Sequence, residues 1–117
     1  MLYFEDRGEP LTFIHLPTFD EDAEGLLDDE VLREVQRILN EDPYAGVVVP
    51  GAGGVRKLRV PLAGRGKRGG ARLIYLYVHV RSVIYLITVY AKSDQADISE
   101  AGYHLIARLA KQLKGES

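Results

Sequence analysis

Lys57, Arg59, Arg72 and Lys92 are the residues of this chain best suited to chemistry, and the chemistry they suit is that of a phosphodiester. A 2′-hydroxyl attacks its own adjacent phosphate without a metal if a base takes its proton and cations stabilise the more negative pentavalent transition state. Arginine suits the second task, because its fork contacts two phosphate oxygens and never loses its charge. Lysine suits the first where neighbouring cations and partial burial lower its pKa. Lys57 and Arg59 stand two apart in the alternating stretch Val55-Arg-Lys-Leu-Arg-Val60, which puts them on one face of a strand and Leu58 and Val60 on the other. Arg72 opens one further apolar stretch and Lys92 closes another, so three neighbouring strands can gather the four charges. Such crowding costs stability and is hard to explain unless an anion normally sits there. The same charges equally serve RNA or DNA docking without cleavage.

The distribution of charge points the same way. The 117 residues carry a formal net charge of −2, but residues 1–42 have a balance of −10 and residues 43–93 one of +9, without a single acidic residue. Residues 94–117 return to −1. Asymmetry of this kind suggests a surface built for a polyanion; the plainer reading is a solvated basic strand edge that resists aggregation.

Other site types are set aside. The chain has no cysteine, which removes disulfides, thiolate nucleophiles and cysteine-based zinc sites. His15, His79 and His104 are scattered over different elements without ligand spacing, and neither metal nor cofactor is expected. Gly64-x-Gly-x-x-Gly69 has the letters of a dinucleotide loop, yet it opens a strand where such a loop must open a helix. No apolar run is long enough to span a membrane, and the first residues do not read as a signal peptide, so a cytoplasmic protein is the expectation.

The elements that must position these residues follow from pattern. Residues 11–16 read as a first strand ended by Pro17, and the acidic stretch 20–24 as the opening of a short helix. Val31, Leu32, Val35, Ile38 and Leu39 mark one face of an amphipathic helix, and residues 46–54 read as a loop. Residues 72–79 and 83–91 form a hairpin with apolar residues on both parities, hence covered on both faces. A last helix starts near Ile98 with Asp97 as N-cap and Glu100 completing a capping pair; Ile98, Leu105, Ile106, Leu109 and Leu113 make its stripe. The expectation is one α+β domain over residues 1–117, residues 1–10 being a peripheral extension. Its sheet is small, about four strands and mainly antiparallel, with N-terminal helices and a C-terminal helix.

Val55-Arg-Lys-Leu-Arg-Val60, Gly66-Lys-Arg-Gly-Gly-Ala-Arg-Leu-Ile-Tyr75 and Tyr85-Leu-Ile-Thr-Val-Tyr-Ala-Lys92 together resemble the core of the RelE superfamily of bacterial toxins. The middle motif is most similar to its HigB branch, and the resemblance covers roughly residues 11–114. It implies a RelE-like fold and an mRNA interferase of a type II toxin–antitoxin system, which enters the ribosome's decoding site and cuts mRNA without a metal. It implies an antitoxin encoded beside it, typically with a helix-turn-helix domain. Carried over by position, Lys57, Arg59, Arg72 and Lys92 form the catalytic set. Arg56, Arg65, Lys67, Arg68 and Tyr90 are the RNA-binding residues, Arg68 by motif alone. In RelE a tyrosine of the C-terminal segment stacks on an mRNA base; residues 93–99 contain none, and Tyr90 is the substitute at hand. Two other readings stand beside this one: a non-catalytic RNA- or ribosome-binding relative, and a structural partner whose acidic N-terminal half neutralises its own basic sheet.

The charge layout predicts steep salt sensitivity of ribosome binding, because cations that face phosphates release counterions. Affinity should fall strongly between about 50 and 200 mM salt. A titration of ribosome binding across that range checks it, and a flat response would mean that the basic stretch faces something other than RNA.

Overall fold

The structure, a computed structural model, describes residues 10–62 and 70–115. The peripheral extension expected at residues 1–10 lies, apart from Pro10, outside the described residues.

The elements run β1 (Thr12–His15), α1 (Pro17–Ala23), α2 (Asp29–Glu41), β2 (Val47–Val48), β3 (Arg56–Val60), β4 (Ala71–Val78), β5 (Val83–Ala91) and α3 (Glu100–Leu113). The strands form one sheet in the order β1-β5-β4-β3-β2. All its pairings are antiparallel except β1 with β5. The expected β4–β5 hairpin is present, joined by one turn of 3-10 helix and by Ser82 in the left-handed region at φ 55°.

Two apolar cores lie against the sheet. Leu73 and Tyr75 of β4 join Phe19 of α1, Val35 and Leu39 of α2, and Leu58 of β3. Ile74, Leu76 and Val78 join Ile87 of β5 and Ala110 of α3 in the other core. Alternation along β4 therefore feeds both cores, as its apolar residues on both parities led one to expect. All five apolar residues expected on the face of α2 pack into the first core, and Asp28 caps that helix by accepting from the Val31 N–H at 2.8 Å.

Four details differ from expectation. The sheet has five strands, because Val47 and Val48, inside the stretch read as loop, pair with Lys57 and Arg56. Two paired residues between Gly46 and Pro50 leave no periodicity to read. Helix α1 begins at Pro17, whose fixed φ suits the first helical position, so the acidic stretch lies within and just beyond the helix. Helix α3 begins at Glu100, capped by Ser99, whose hydroxyl accepts from the Gly102 N–H at 3.0 Å; Asp97 is not its cap. Leu105 is 61% exposed and stands off the stripe, while Ile106, Leu109 and Leu113 pack as expected and Ala110 takes its centre.

A register shift between Ile74 and Tyr75 decides which way β5 presents its last residues. Tyr75 pairs with Leu86 but Ile74 with Thr88, so Ile87 is an extra residue on β5. Ile84 and Leu86 thus face the α1/α2 core, whereas Tyr90, of the same parity, stands opposite Arg72.

The turn that leads to β2 is fixed from beneath by Tyr75, which has no exposed surface. Its hydroxyl donates to the Pro43 carbonyl at 2.8 Å and accepts from the Gly46 N–H at 2.9 Å. Gly46 is what lets the chain pass this closely, since a Cβ there would lie 2.8 Å from the Tyr75 ring. Tyr75→Phe should leave a buried N–H and carbonyl without their partner and cost about 1–3 kcal/mol. Urea denaturation checks this through a lowered midpoint with an unchanged slope.

Candidate functional site

A cleft of about 620 Å³ lies where β3 and β4 present their polar side beside the start of α3. Lys57, Arg59 and Arg72 line it, with residues 47–50 on one side and Asp97 and Tyr103 on another. Strand alternation sends Lys57 and Arg59 into it while Leu58 and Val60 enter the core, as the sequence implies. The β3–β4 register sets Arg59 opposite Arg72, and β4–β5 sets Arg72 opposite Tyr90, a row of two guanidiniums and a phenol across three strands.

Among the described residues, no ion pair involves Arg59 or Arg72, and Arg72 donates to the Ala71 carbonyl at 3.3 Å. Nor does any ion pair join the acids of residues 20–42 to the cations of β3 and β4, as self-neutralisation by the N-terminal half would require. Among the described residues, the one carboxylate that lines the cleft comes from the segment before α3. One oxygen of Asp97, Oδ1, accepts from Lys57 Nζ at 3.0 Å, the Tyr103 hydroxyl at 2.6 Å, the Ile98 N–H at 2.8 Å and the Tyr90 hydroxyl at 3.3 Å.

These contacts set the charge states. Hydrogen bonds from Tyr103, then from Lys57, hold the Asp97 carboxyl well below the usual carboxylate range. Burial works against the charge on Lys57, but its hydrogen bonds with Tyr103 and Asp97 outweigh it and hold the ammonium above the ordinary lysine range. Burial, followed by the bond to Asp97, pushes the Tyr103 phenol up; burial does the same to Tyr90. At neutral pH the described residues of the cleft therefore bring together the cations of Lys57, Arg59 and Arg72, the Asp97 carboxylate and the neutral Tyr103 phenol. A lysine base, which the sequence allows without saying which residue serves, needs the opposite shift, and Lys57 is a cation here.

The other expected site residues are placed as follows. Lys92 does not line the cleft; it is exposed at the end of β5 and its ammonium donates to the Ala96 carbonyl at 3.2 Å. Arg56 shares the parity of Leu58 and turns away, donating to the carbonyls of Gly46 at 2.8 Å and Tyr44 at 3.2 Å and lying 5.0 Å from the centre of the Tyr44 ring. Arg65, Lys67 and Arg68 lie outside the described residues. Tyr90 is only 7% exposed, so its ring is not a platform for a base. Tyr103, half-buried, lines the cleft in its place, with Lys57 Nζ 5.6 Å from its ring centre. Sequence reasoning missed it because the search for an aromatic ended at Ser99. The signal was a tyrosine in the first helical turn, four residues after the cap.

A family model described as RelE toxin of RelE / RelB toxin-antitoxin system matches residues 20–117. Among solved structures, a mutant of the Escherichia coli toxin RelE in the free state matches with a TM-score of 0.57 and 14% sequence identity. The match covers 86% of this chain and 97% of that one. At that identity it speaks for the fold, an α+β sheet with a closing helix.

The Asp97 contacts predict how stability changes in acid. Its carboxyl is depressed in the folded protein, so its contribution is complete above the ordinary carboxylate value and is lost as pH falls from there towards the folded value. The side chain is 54% exposed, which screens the pair and keeps the effect modest. Between about pH 5 and pH 2 the melting temperature of the wild type should fall further than that of Asp97→Asn. Parallel calorimetry at each pH checks it.

Proposed function

The chain belongs to the RelE toxin family, and on that premise we propose that it is a ribosome-dependent mRNA endoribonuclease, the toxin of a type II toxin–antitoxin system. The observation that carries this reading is the pair of guanidiniums set opposite one another in an open cleft without an acidic partner among the described residues. Two such charges side by side are best relieved by an anion shared between them, and a phosphodiester supplies one.

The reaction that suits this cleft is attack of a 2′-hydroxyl on its adjacent phosphorus. The 2′-hydroxyl gives its proton to water in the open cleft as the 2′-O–P bond forms, and the P–O5′ bond breaks, leaving a 2′,3′-cyclic phosphate and a 5′-hydroxyl. Arg72 and Arg59 stabilise the negative charge that grows on the phosphoryl oxygens, and Lys57, held charged, stands ready to donate to the leaving oxygen. Tyr103 offers its ring to a neighbouring base. The ribosome aligns the mRNA, and alignment alone can be worth many orders of magnitude. No metal enters this scheme. The protein acts in the cytoplasm as a single domain, held inactive by an antitoxin encoded beside it, with a helix-turn-helix domain as in the HigB branch.

A second reading, docking on RNA or the ribosome without cutting, draws on the state of Lys57, which is not free to accept a proton. Induced expression separates the two: the enzyme arrests growth and leaves mRNAs cut within codons, with cyclic-phosphate ends, whereas a docking protein leaves them whole.

Arg72 gives the sharper test. Arg72→Ala removes a transition-state contact worth on the order of 3–4 kcal/mol, a rate loss of roughly 10²–10³. Stability should hold or rise slightly, because the substitution also removes a like charge opposite Arg59. Arg72→Lys should restore activity only in part, since a point charge does not reproduce the bidentate fork. Single-turnover cleavage on ribosomes beside melting curves checks all three; full activity in folded Arg72→Ala protein would remove this residue from the mechanism.

A further inference from the structure

We propose that Asp97 is a positioning residue, whose carboxylate holds the Lys57 ammonium and the Tyr103 hydroxyl in place along one side of the cleft, at the expense of tighter RNA binding. The proposal rests on the functional reading above and goes beyond it by assigning a carboxylate to a site that otherwise attracts polyanions.

A carboxylate is a misfit in this cleft. A cleft lined by Lys57, Arg59 and Arg72 would attract phosphates best with no carboxylate in it, and Asp97 repels whatever the cations attract. Its presence is not explained by the helix that follows, because Ser99 caps α3. Its contacts explain it. Lys57 comes from β3, Tyr90 from β5 and Tyr103 from α3, and all three donate to the same oxygen, which also accepts the Ile98 N–H. One carboxylate thus ties two strands and the closing helix together at the cleft. A lysine has four rotatable bonds and wanders unless something holds it, and reaction geometry tolerates little wandering. Asp97 also gives the Tyr103 O–H a direction and so fixes the ring that lies against Lys57.

The inference sets binding and turnover against each other. Asp97→Asn keeps an oxygen for the Ile98 N–H but loses the charge that holds Lys57. It should bind a single-stranded DNA oligonucleotide, which lacks the attacking hydroxyl, severalfold more tightly. On ribosomes it should lose about 10–100-fold in kcat with an unchanged or lower KM. Asp97→Glu should recover part of kcat. Ser99→Ala, which loosens the start of α3 and leaves the carboxylate alone, should lose much less.

A readout independent of activity follows the lysine itself. Mapped acetylation should modify Lys57 slowly beside exposed Lys111 in the wild type, and at a rate near that of Lys111 in Asp97→Asn. Equal protection of Lys57 in both proteins would overturn the proposal, as would weaker oligonucleotide binding by the variant. A kcat loss in Ser99→Ala equal to that in Asp97→Asn would make the effect one of local folding and overturn it too. Wild-type protein that leaves ribosome-bound mRNA whole would instead overturn the functional reading, while the acetylation rates still decide whether Asp97 holds Lys57.

Discussion

Like charges placed opposite one another on paired strands repel, and Arg59 faces Arg72 in just this way. The rest of the fold makes that arrangement tolerable. β4 lies at the centre of the sheet, with Leu73 and Tyr75 in one core and Ile74, Leu76 and Val78 in the other, so apolar burial at these positions outweighs a local repulsion. The two arginines are left at the open side, in contact with water. The fold fixes their backbones and leaves their charge to be answered from outside.

Against this background, the two sides of the cleft differ in character. Residues 47–50 form an apolar wall, with Val47 74% exposed, fastened from below by the Tyr75 hydroxyl through the turn at Pro43 and Gly46. The opposite side is polar and is assembled around a single oxygen of Asp97. A chain of alternating phosphates and bases meets cations, apolar side chains and an aromatic ring in one cleft, which is the combination that single-stranded nucleic acid favours.

The parts legible in the sequence were those with a strong period. Alternation in residues 55–60 placed Lys57 and Arg59 together, the apolar face of α2 was read residue by residue, and the acid-free stretch pointed to the cleft before any strand order was known. What was not legible depended on contacts far apart in the chain. Asp97 has the sequence context of a helix cap, and only the arrival of Lys57 from forty residues away takes its carboxylate for another purpose. Tyr90 offers itself in sequence as the substitute for a base-stacking tyrosine, but an extra residue on β5 turns it toward Arg72 and packing buries it. Arg56 sits beside Lys57 in a basic run, yet a side-chain period of two sends it to the other face, a consequence that the alternation already contained.

The parallel pairing of β1 with β5 bears on how the molecule comes into being. Thr12 pairs with Val83, so this edge strand waits for a partner made about seventy residues later. Closing a loop of that length costs chain entropy before any contact repays it, and sheets that depend on such pairings form slowly. The cleft has the same dependence, since its cations come from β3 and β4 but its carboxylate and its ring come from Asp97 and Tyr103 near the end of the chain. A nascent chain on the ribosome that made it therefore carries the basic residues of β3 and β4 before the segment that supplies Asp97 and Tyr103 has been made. The geometry that aligns them arrives only as α3 leaves the exit tunnel and docks.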